Sequence, residues 1–469
     1  MKETLLRRIP AVESLAGDPA GQDLIARFGR DAFLKECRAA LDSLRTEILE
    51  GSGEAIAEES GLKKNLFRRI ELRLEAKFSS GLQNAVNATG ILMHSGLGRA
   101  VLSEPSRRAL DEISRGYCTL ALDLETGRRG QRDARISRLL AELTGAEAAT
   151  LVNNNAAGTV LVLHALAKGK EVVVSRGQLV EIGGSFRMPD VMSASGAVLR
   201  EVGTTNKTHL RDYADAVGPG TGAILRVHHS NYRIVGFTAE PEIEELVELG
   251  ARHGVPVIDD LGSGALVDLR KYGLESEPMV ARSIRAGVDI ACFSGDKLIG
   301  GPQSGLIAGK ADAVARVKKD PLARAFRCGK LTIAAMEATL KMFLSPDTLE
   351  ERHPLYRMLS KSLDELQKRA RRVERDLKKR LPGPVEIAVV DEGSQVGSGS
   401  VPVETIPTKC LSVKSSTISP DDIAKALRLG RPPVFSRIRK DAVLFDFRTI
   451  QPGEDGIVEE AIASLFSKK

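Results

Sequence analysis

Ala291-Cys292-Phe293-Ser294-Gly295-Asp296-Lys297-Leu298-Ile299-Gly300-Gly301-Pro302-Gln303-Ser304-Gly305 is the stretch on which the reading of this chain turns. Upstream, Val255-Pro256-Val257-Ile258-Asp259-Asp260 reads as a buried strand ending in two acids. Downstream, Gly305-Leu306-Ile307-Ala308-Gly309 reads as the next apolar strand. Lys297 therefore sits on a loop of small residues between core elements, with Ser294 three positions before it. The flanking glycines let the backbone approach something closely.

One chemistry uses these parts together. Pyridoxal 5'-phosphate forms a Schiff base with a lysine, an acid keeps its ring nitrogen protonated, and hydroxyls with backbone N–H groups hold its phosphate. Asp260 ends a strand 37 residues before Lys297 (297 − 260). Ser-x-x-Lys alone is a weak signal. Joined to a strand-end acid and a glycine-rich surround, it points to Lys297 as the cofactor lysine, Asp260 as the ring acid and Ser294 as a cofactor contact. The competing reading has Lys297 capping a helix or pairing with Asp296.

Work outward from this loop and the chain alternates. Glu171–Ser175, Ala197–Val202, Ala223–Val227 and Val255–Asp259 read as strands, with a helix over Pro241–His253. Strands separated by helices of about a dozen residues predict a parallel α/β sheet, whose ligands bind beyond the strands' C-terminal ends. Ser175, His228 and Asp260 lie on that rim. His228 fits a role near the cofactor or plain packing. Earlier, Asn153-Asn154-Asn155-Ala156-Ala157-Gly158 opens an apolar helix running to Ala167. Helix N-termini offer free N–H groups to phosphate, so Asn154, Asn155 and Ala156 are the expected seat. Arg99, on the glycine loop Gly96-Leu97-Gly98, fits an anion clamp or a structural ion pair.

Past the lysine, Ala311–Val317 reads as helical. Arg324 and Arg327 are spaced i, i+3 and are expected to share a helix face, either as anion ligands or as surface charges. A single long basic helix is expected over 350–381, ended by Pro382. Mixed strands and helices then predict a small α+β C-terminal domain, with a mobile loop at 393–400. Residues 1–60 read as a helical module with a loose link at Gly51-Ser52-Gly53, and Leu62–Phe78 as a basic amphipathic connector.

At 469 residues the chain has room for about three domains. Hydrophobic content of 42% with 28% charged residues is ordinary for a globular protein. No apolar run approaches about 18 residues, and the N-terminus lacks an apolar signal region, so neither a membrane span nor secretion is expected. Five scattered cysteines without a CxxC pair indicate neither a disulfide framework nor a cysteine metal site, and fit a reducing cytoplasm. Net charge is +6, unevenly placed. Residues 1–60 carry 8 Lys/Arg against 12 Asp/Glu, 61–80 carry 6 against 2, and 312–380 carry 18 against 10. The last excess suits an anionic substrate or a solvated helix face.

Asn87–Ala100, Asn153–Ala157, Asp260-Leu261-Gly262-Ser263-Gly264 and Phe293–Gly301 together closely resemble the bacterial selenocysteine synthases, the L-seryl-tRNA(Sec) selenium transferases. The resemblance extends over essentially the whole chain. It implies an aminotransferase-like fold type I enzyme with a tRNA-gripping module at 1–60, a connector at 61–86, a cofactor-binding large domain at 87–345 and a small domain at 346–469. It implies a homodecamer, a pentamer of dimers. Carried onto this chain, it makes Lys297 the Schiff-base lysine, Asp260 the ring acid and Asn154 with Asn155 the phosphate seat. Asp296 matches the family motif beside the lysine, and Arg99, Arg324 and Arg327 match arginines around the selenium donor. The implied reaction converts seryl-tRNA(Sec) to selenocysteinyl-tRNA(Sec) with selenophosphate, by loss of water to a dehydroalanyl intermediate and addition of selenium. Phosphosugar ammonia-lyases share the core but generally lack the N-terminal module, and a lyase acting on a small phosphorylated amino compound is the alternative.

Overall fold

The computed structural model describes residues 6–50, 61–183, 186–274, 277–381, 383–401 and 404–467. By contacts the chain divides into two compact units, Met1–Asn84 and Ala85–Lys469. The link expected at 51–53 lies outside the described residues.

The first unit is helical, with Val12–Ala16, Pro19–Phe28, Arg30–Glu50 and Leu62–Phe78. Asp18 caps the second helix by accepting from the Ala20 N–H at 3.1 Å, with Pro19 in the first turn where its missing N–H costs nothing. Leu62, Leu66, Ile70 and Leu74 recur at helical spacing and are buried against Phe33, Cys37, Leu41, Leu44 and Ile48. At about 1.5–3 kcal/mol per buried side chain, that stripe makes the helix expected as a connector part of this unit's core. Its basic face is partly neutralised within the unit. Arg69 grips Glu47 with two hydrogen bonds of 2.7 and 2.9 Å, and Arg73 and Lys77 bind Glu36.

The second unit is built on a seven-stranded sheet. In chain order its strands are β1 (Ala148–Val152), β2 (Glu171–Ser175), β3 (Val198–Val202), β4 (Thr221–Val227), β5 (Val257–Gly262), β6 (Ile290–Ser294) and β7 (Gly305–Gly309). Their spatial order is β1-β7-β6-β5-β4-β2-β3. Alternate residues feed two cores: Ile290 and Cys292 pack into one, Ala291 and Phe293 into the other. That is the pattern of strands covered on both faces.

The strands expected to run parallel do so, and the apolar strand after the lysine joins them in the opposite direction. β7 runs antiparallel to both β6 and β1, with Gly305 opposite Ser294 and Val152. Only ten residues separate β6 from β7 (304 − 294), too few for a crossover helix, so the chain turns back on itself. The helix after β4 starts at Ile243, with Glu242 as its cap, so Pro241 lies just outside it.

A second, antiparallel sheet closes the C-terminal part: β8 (Val385–Ser394), β9 (Ile406–Ser415), β10 (Arg437–Arg439) and β11 (Ala442–Asp446), in the order β8-β9-β11-β10. It has its own core around Leu366, Leu411, Val443 and Phe445. The single helix expected over 350–381 is three, Leu349–Arg352, Pro354–Ser360 and Leu363–Arg380. His353 and Ser362 each accept a backbone N–H as N-caps, and Pro354 cannot continue the preceding ladder. The loop expected to be mobile at 393–400 is tied down. The Gln395 N–H donates to Gly90 O, the Met93 N–H to Val396 O, and the Ser398 hydroxyl to Met93 O.

Candidate active site

The C-terminal ends of the six parallel strands form one rim, and the loop after β6 carries Lys297 across it. Glycine fixes the path of that loop. Gly300 has φ +65°, and the Gly300 and Gly301 N–H groups fold back onto the carbonyls of Lys297 and Gly295. Two side chains hold it from outside. The Tyr356 hydroxyl donates to Leu298 O at 3.0 Å, and His353 Nε2 lies 2.9 Å from Ile299 O. His353 Nδ1 accepts the Leu355 N–H, so Nε2 carries the hydrogen.

Lys297 is only 6% exposed. Burial lowers the pKa of its amine, and the nearby Arg99 charge acts in the same direction. Asp260, Glu277 and Asp296 oppose the shift without overcoming it. The amine is therefore more readily neutral, and more nucleophilic, than an exposed lysine.

Asp260 is buried where β5 reaches the rim. Burial raises its pKa, against donors that favour the charged form. Asn155 Nδ2 donates to its Oδ1 at 2.8 Å, the Gly262 N–H to the same oxygen, and the Thr159 hydroxyl to its Oδ2 at 2.9 Å. An acid held this firmly keeps one orientation toward a ligand.

Asn154 and Asn155 divide the work expected of both. Asn154 is the N-cap of the helix Asn155–Ala167, its Oδ1 accepting from the Ala157 N–H at 2.8 Å. The first-turn N–H groups of Asn155 and Ala156 have no acceptor within a helix that starts there, so they remain for an anion. The Asn155 side chain is turned to Asp260 instead of an anion. Ser294 is buried at the end of β6, three residues from the lysine.

Arg99 and Asp296 meet: Arg99 Nη1 donates to Asp296 Oδ2 at 2.8 Å. They line one cleft with Ser95, Gly301, Pro302 and Gln303. Arg324 and Arg327 line another, with Arg129 and Arg132. They do not share a helix face. The helix ends at Ala325, and Arg327 lies in extended backbone that pairs with Val152, just before the asparagine run. Among the described residues Arg129, Arg324 and Arg327 have no carboxylate partner, and the crowding of Arg132 and Arg324 pushes the Arg327 pKa down. Such a cluster attracts anions.

Glu277, Thr159 and Ser230 were not legible as site residues. Glu277 is buried beside Lys297, accepts the Ser263 hydroxyl and the Val401 N–H, and approaches His228 Nε2 to 3.7 Å. Burial raises its pKa, and the same cause, joined by the Arg226 charge, brings His228 down to about 4. An isolated glutamate in a loop gives no sequence signal; only Ser263, inside the Asp-Leu-Gly-Ser-Gly motif, hinted at the pair.

The family model described as L-seryl-tRNA selenium transferase matches residues 85–451, and one described as selenocysteine synthase N terminal matches residues 6–45. The chain belongs to the L-seryl-tRNA(Sec) selenium transferase family. A member from Geotalea daltonii is 46% identical over 464 residues, covering 98% of this chain and 99% of its own. One from Alkaliphilus metalliredigens is 44% identical over 464 residues, covering 99% of both. Among solved structures, D-glucosaminate-6-phosphate ammonia-lyase superposes with a TM-score of 0.59 at 19% identity, over 84% of this chain and 99% of that one. That likeness concerns the fold. The family's N-terminal match falls on the helices from residue 6 to 45. Among the described residues no helix is long and apolar enough to cross a membrane, and no cluster of His, Cys, Asp and Glu converges on a metal position.

Proposed function

We propose that this protein converts seryl-tRNA(Sec) to selenocysteinyl-tRNA(Sec) using selenophosphate, with pyridoxal 5'-phosphate held covalently on Lys297. The observation that carries the reading is the buried Lys297 amine facing the clamped acid Asp260 on the strand rim. The site fits the cofactor in further respects. The helix at Asn155 presents free N–H groups for a phosphate, and Asn155 Oδ1 and Ser230 Oγ are buried polar atoms without partners among the described residues. Gly262, at φ +65°, leaves open the space that a Cβ would fill within 4.0 Å of Lys297 Nζ.

When bound, the cofactor supplies an electron sink for charge developing on the seryl Cα. The chain's own residues do the rest. Lys297 Nζ, its pKa lowered by burial, takes and returns the Cα proton. The Asp260 carboxylate holds a proton on the ring nitrogen. The Asn155 and Ala156 N–H groups would seat the phosphate, and Ser294, buried at the end of β6, would be a further contact of the cofactor. Asp296 holds Arg99 beside the reacting centre.

Arg99, Arg324 and Arg327 bind the oxygens of selenophosphate, for which planar guanidinium is geometrically suited. Within one chain they line separate clefts, so they meet on one donor only where two copies of the chain adjoin. The homodecamer implied by the family resemblance belongs to the same proposal. The N-terminal unit binds the tRNA, with the large and small domains at 87–345 and 346–469 forming the enzyme body.

The decisive experiment is conversion of seryl-tRNA(Sec) with selenophosphate by the purified, cofactor-loaded protein. Wild type is expected to form selenocysteinyl-tRNA, and Lys297→Ala to lose both the conversion and the cofactor's lysine-bound absorbance. Turnover of a small phosphorylated amino compound, with no selenium entering tRNA, would replace this reading with the lyase one.

A further inference from the structure

Asp320 lies in the cleft that Arg129, Arg132, Arg324 and Arg327 line. A carboxylate there works against the anion those arginines attract, so what holds its charge matters. Its side chain is 8% exposed, and both of its oxygens are occupied. Oδ1 accepts the Leu322 N–H at 2.8 Å, and Oδ2 lies 2.7 Å from His164 Nδ1. An ionised carboxylate only accepts, so Nδ1 carries the hydrogen. Among the described residues no other side chain pairs with Asp320.

Arg324 owes its place to that pair. It sits in the helix Pro321–Ala325, which Asp320 caps. Five residues are too few for a helix to stand by itself. Its internal ties are the Ala323 N–H to Asp320 O and the Phe326 N–H to Leu322 O, both at 3.0 Å. Beyond it the chain is pinned by the pairing of Arg327 with Val152 and by the Asn153 N–H on Phe326 O. Leu322 and Phe326 hold the helix's apolar side against the core, and Asp320 fixes its start. His164 lies nine residues into the helix Asn155–Ala167 (164 − 155), whose first turn offers N–H groups to a phosphate. One rigid element thus carries the phosphate seat and, about 14 Å further along, braces the arginine segment.

Resting on the reading of Arg324 and Arg327 as ligands of selenophosphate, we infer that His164 is a positioning residue for the donor. Its Nδ1–H fixes the Asp320 carboxylate, which caps the short helix and sets Arg324 in the cleft. The same bond draws the Asp320 charge away from the anion. Without His164 the cap loosens, and one carboxylate oxygen is left unpaired beside the donor. Both effects weaken donor binding and leave Lys297 and Asp260 untouched.

The test compares cofactor-loaded, full-length wild type with His164→Ala and with His164→Asn, whose amide nitrogen can stand where Nδ1 does. His164→Ala is expected to raise KM for selenophosphate about tenfold. Its kcat, its KM for seryl-tRNA(Sec) and its lysine-bound absorbance are expected to stay near wild type. His164→Asn is expected to recover most of the loss. An unmoved KM for selenophosphate in His164→Ala, equal losses for both substrates, or an Asn variant as poor as Ala overturns the assignment. If His164→Ala does not fold, Asp320→Asn replaces it. Its single amide oxygen cannot accept both N–H groups, so KM for selenophosphate is expected to rise, and an unmoved value overturns the assignment. A wild type that forms no selenocysteinyl-tRNA overturns the functional reading, and the role of His164 with it. Normal wild-type turnover with an unmoved KM in the variants removes the role of His164 alone.

Discussion

Acidification should release the loop that carries Lys297, and His353 is the reason. Its ring is fully buried, donates from Nε2 to Ile299 O and accepts at Nδ1 from the Leu355 N–H. Both nitrogens are used by the neutral ring, so a second proton has no partner. Burial, helped by the Arg357 charge, brings the pKa from 6.5 to about 4, against the opposing pull of the Ile299 carbonyl. The folded pKa is depressed. His353 therefore contributes its full stability above about pH 6.5 and loses it as pH falls toward 4. The span of 2.5 units corresponds to about 3 kcal/mol, of which about 2 kcal/mol is gone between about pH 7.5 and about pH 5. His228, also near 4, adds a similar loss. A comparison with His353→Gln isolates one from the other, because Gln does not titrate while His228 is common to both. Guanidinium unfolding followed by circular dichroism at the two pH values should show the gap between wild type and variant narrowing by about 2 kcal/mol on acidification. A gap that stays constant would show that His353 accepts its second proton without cost, and the argument from its two hydrogen bonds would fail.

Gly300→Ala is expected to cost about 2–4 kcal/mol, because its Cβ would lie 2.2 Å from His353 Cε1 at a φ of +65°. Gly145→Ala, at φ +79° with nothing within 4 Å, should cost only about 1 kcal/mol, and the two unfolding midpoints can be compared directly. Asp260→Asn should still form the lysine-bound chromophore but lose about a hundredfold or more in kcat, measured with seryl-tRNA(Sec). Arg324→Ala should slow selenium transfer by about 10–100-fold while leaving chromophore formation near wild type; equal loss of both would count against its binding the donor.

Much of this site was legible because its residues lie in local patterns. A strand ending in Asp259-Asp260, a glycine-bounded lysine and an asparagine run before an apolar helix each fix a backbone position by chemistry nearby in sequence. The helix of the first unit was equally plain: Leu62, Leu66, Ile70 and Leu74 are spaced for one face. That this face closes the core of the N-terminal unit was not plain, because periodicity gives the stripe and not what covers it. Arg327 shows the same limit. Spacing from Arg324 promised one helix face, but the helix ends at Ala325, and pairing with Val152, 175 residues earlier (327 − 152), sets its backbone.

By itself the sequence determined the α/β layering and the places of Lys297, of Asp260 at its strand end and of the helix start at Asn155, since each depends on hydrogen-bonding and packing rules that act within a few residues. Only the tertiary structure decided that Asn155 orients Asp260 instead of an anion, and that Glu277 and His353 reach the lysine loop. The contacts of Asn155 with Asp260 and of His353 with Ile299 each span more than 50 residues. There, burial and unmet hydrogen-bonding capacity, not local propensity, select the partner.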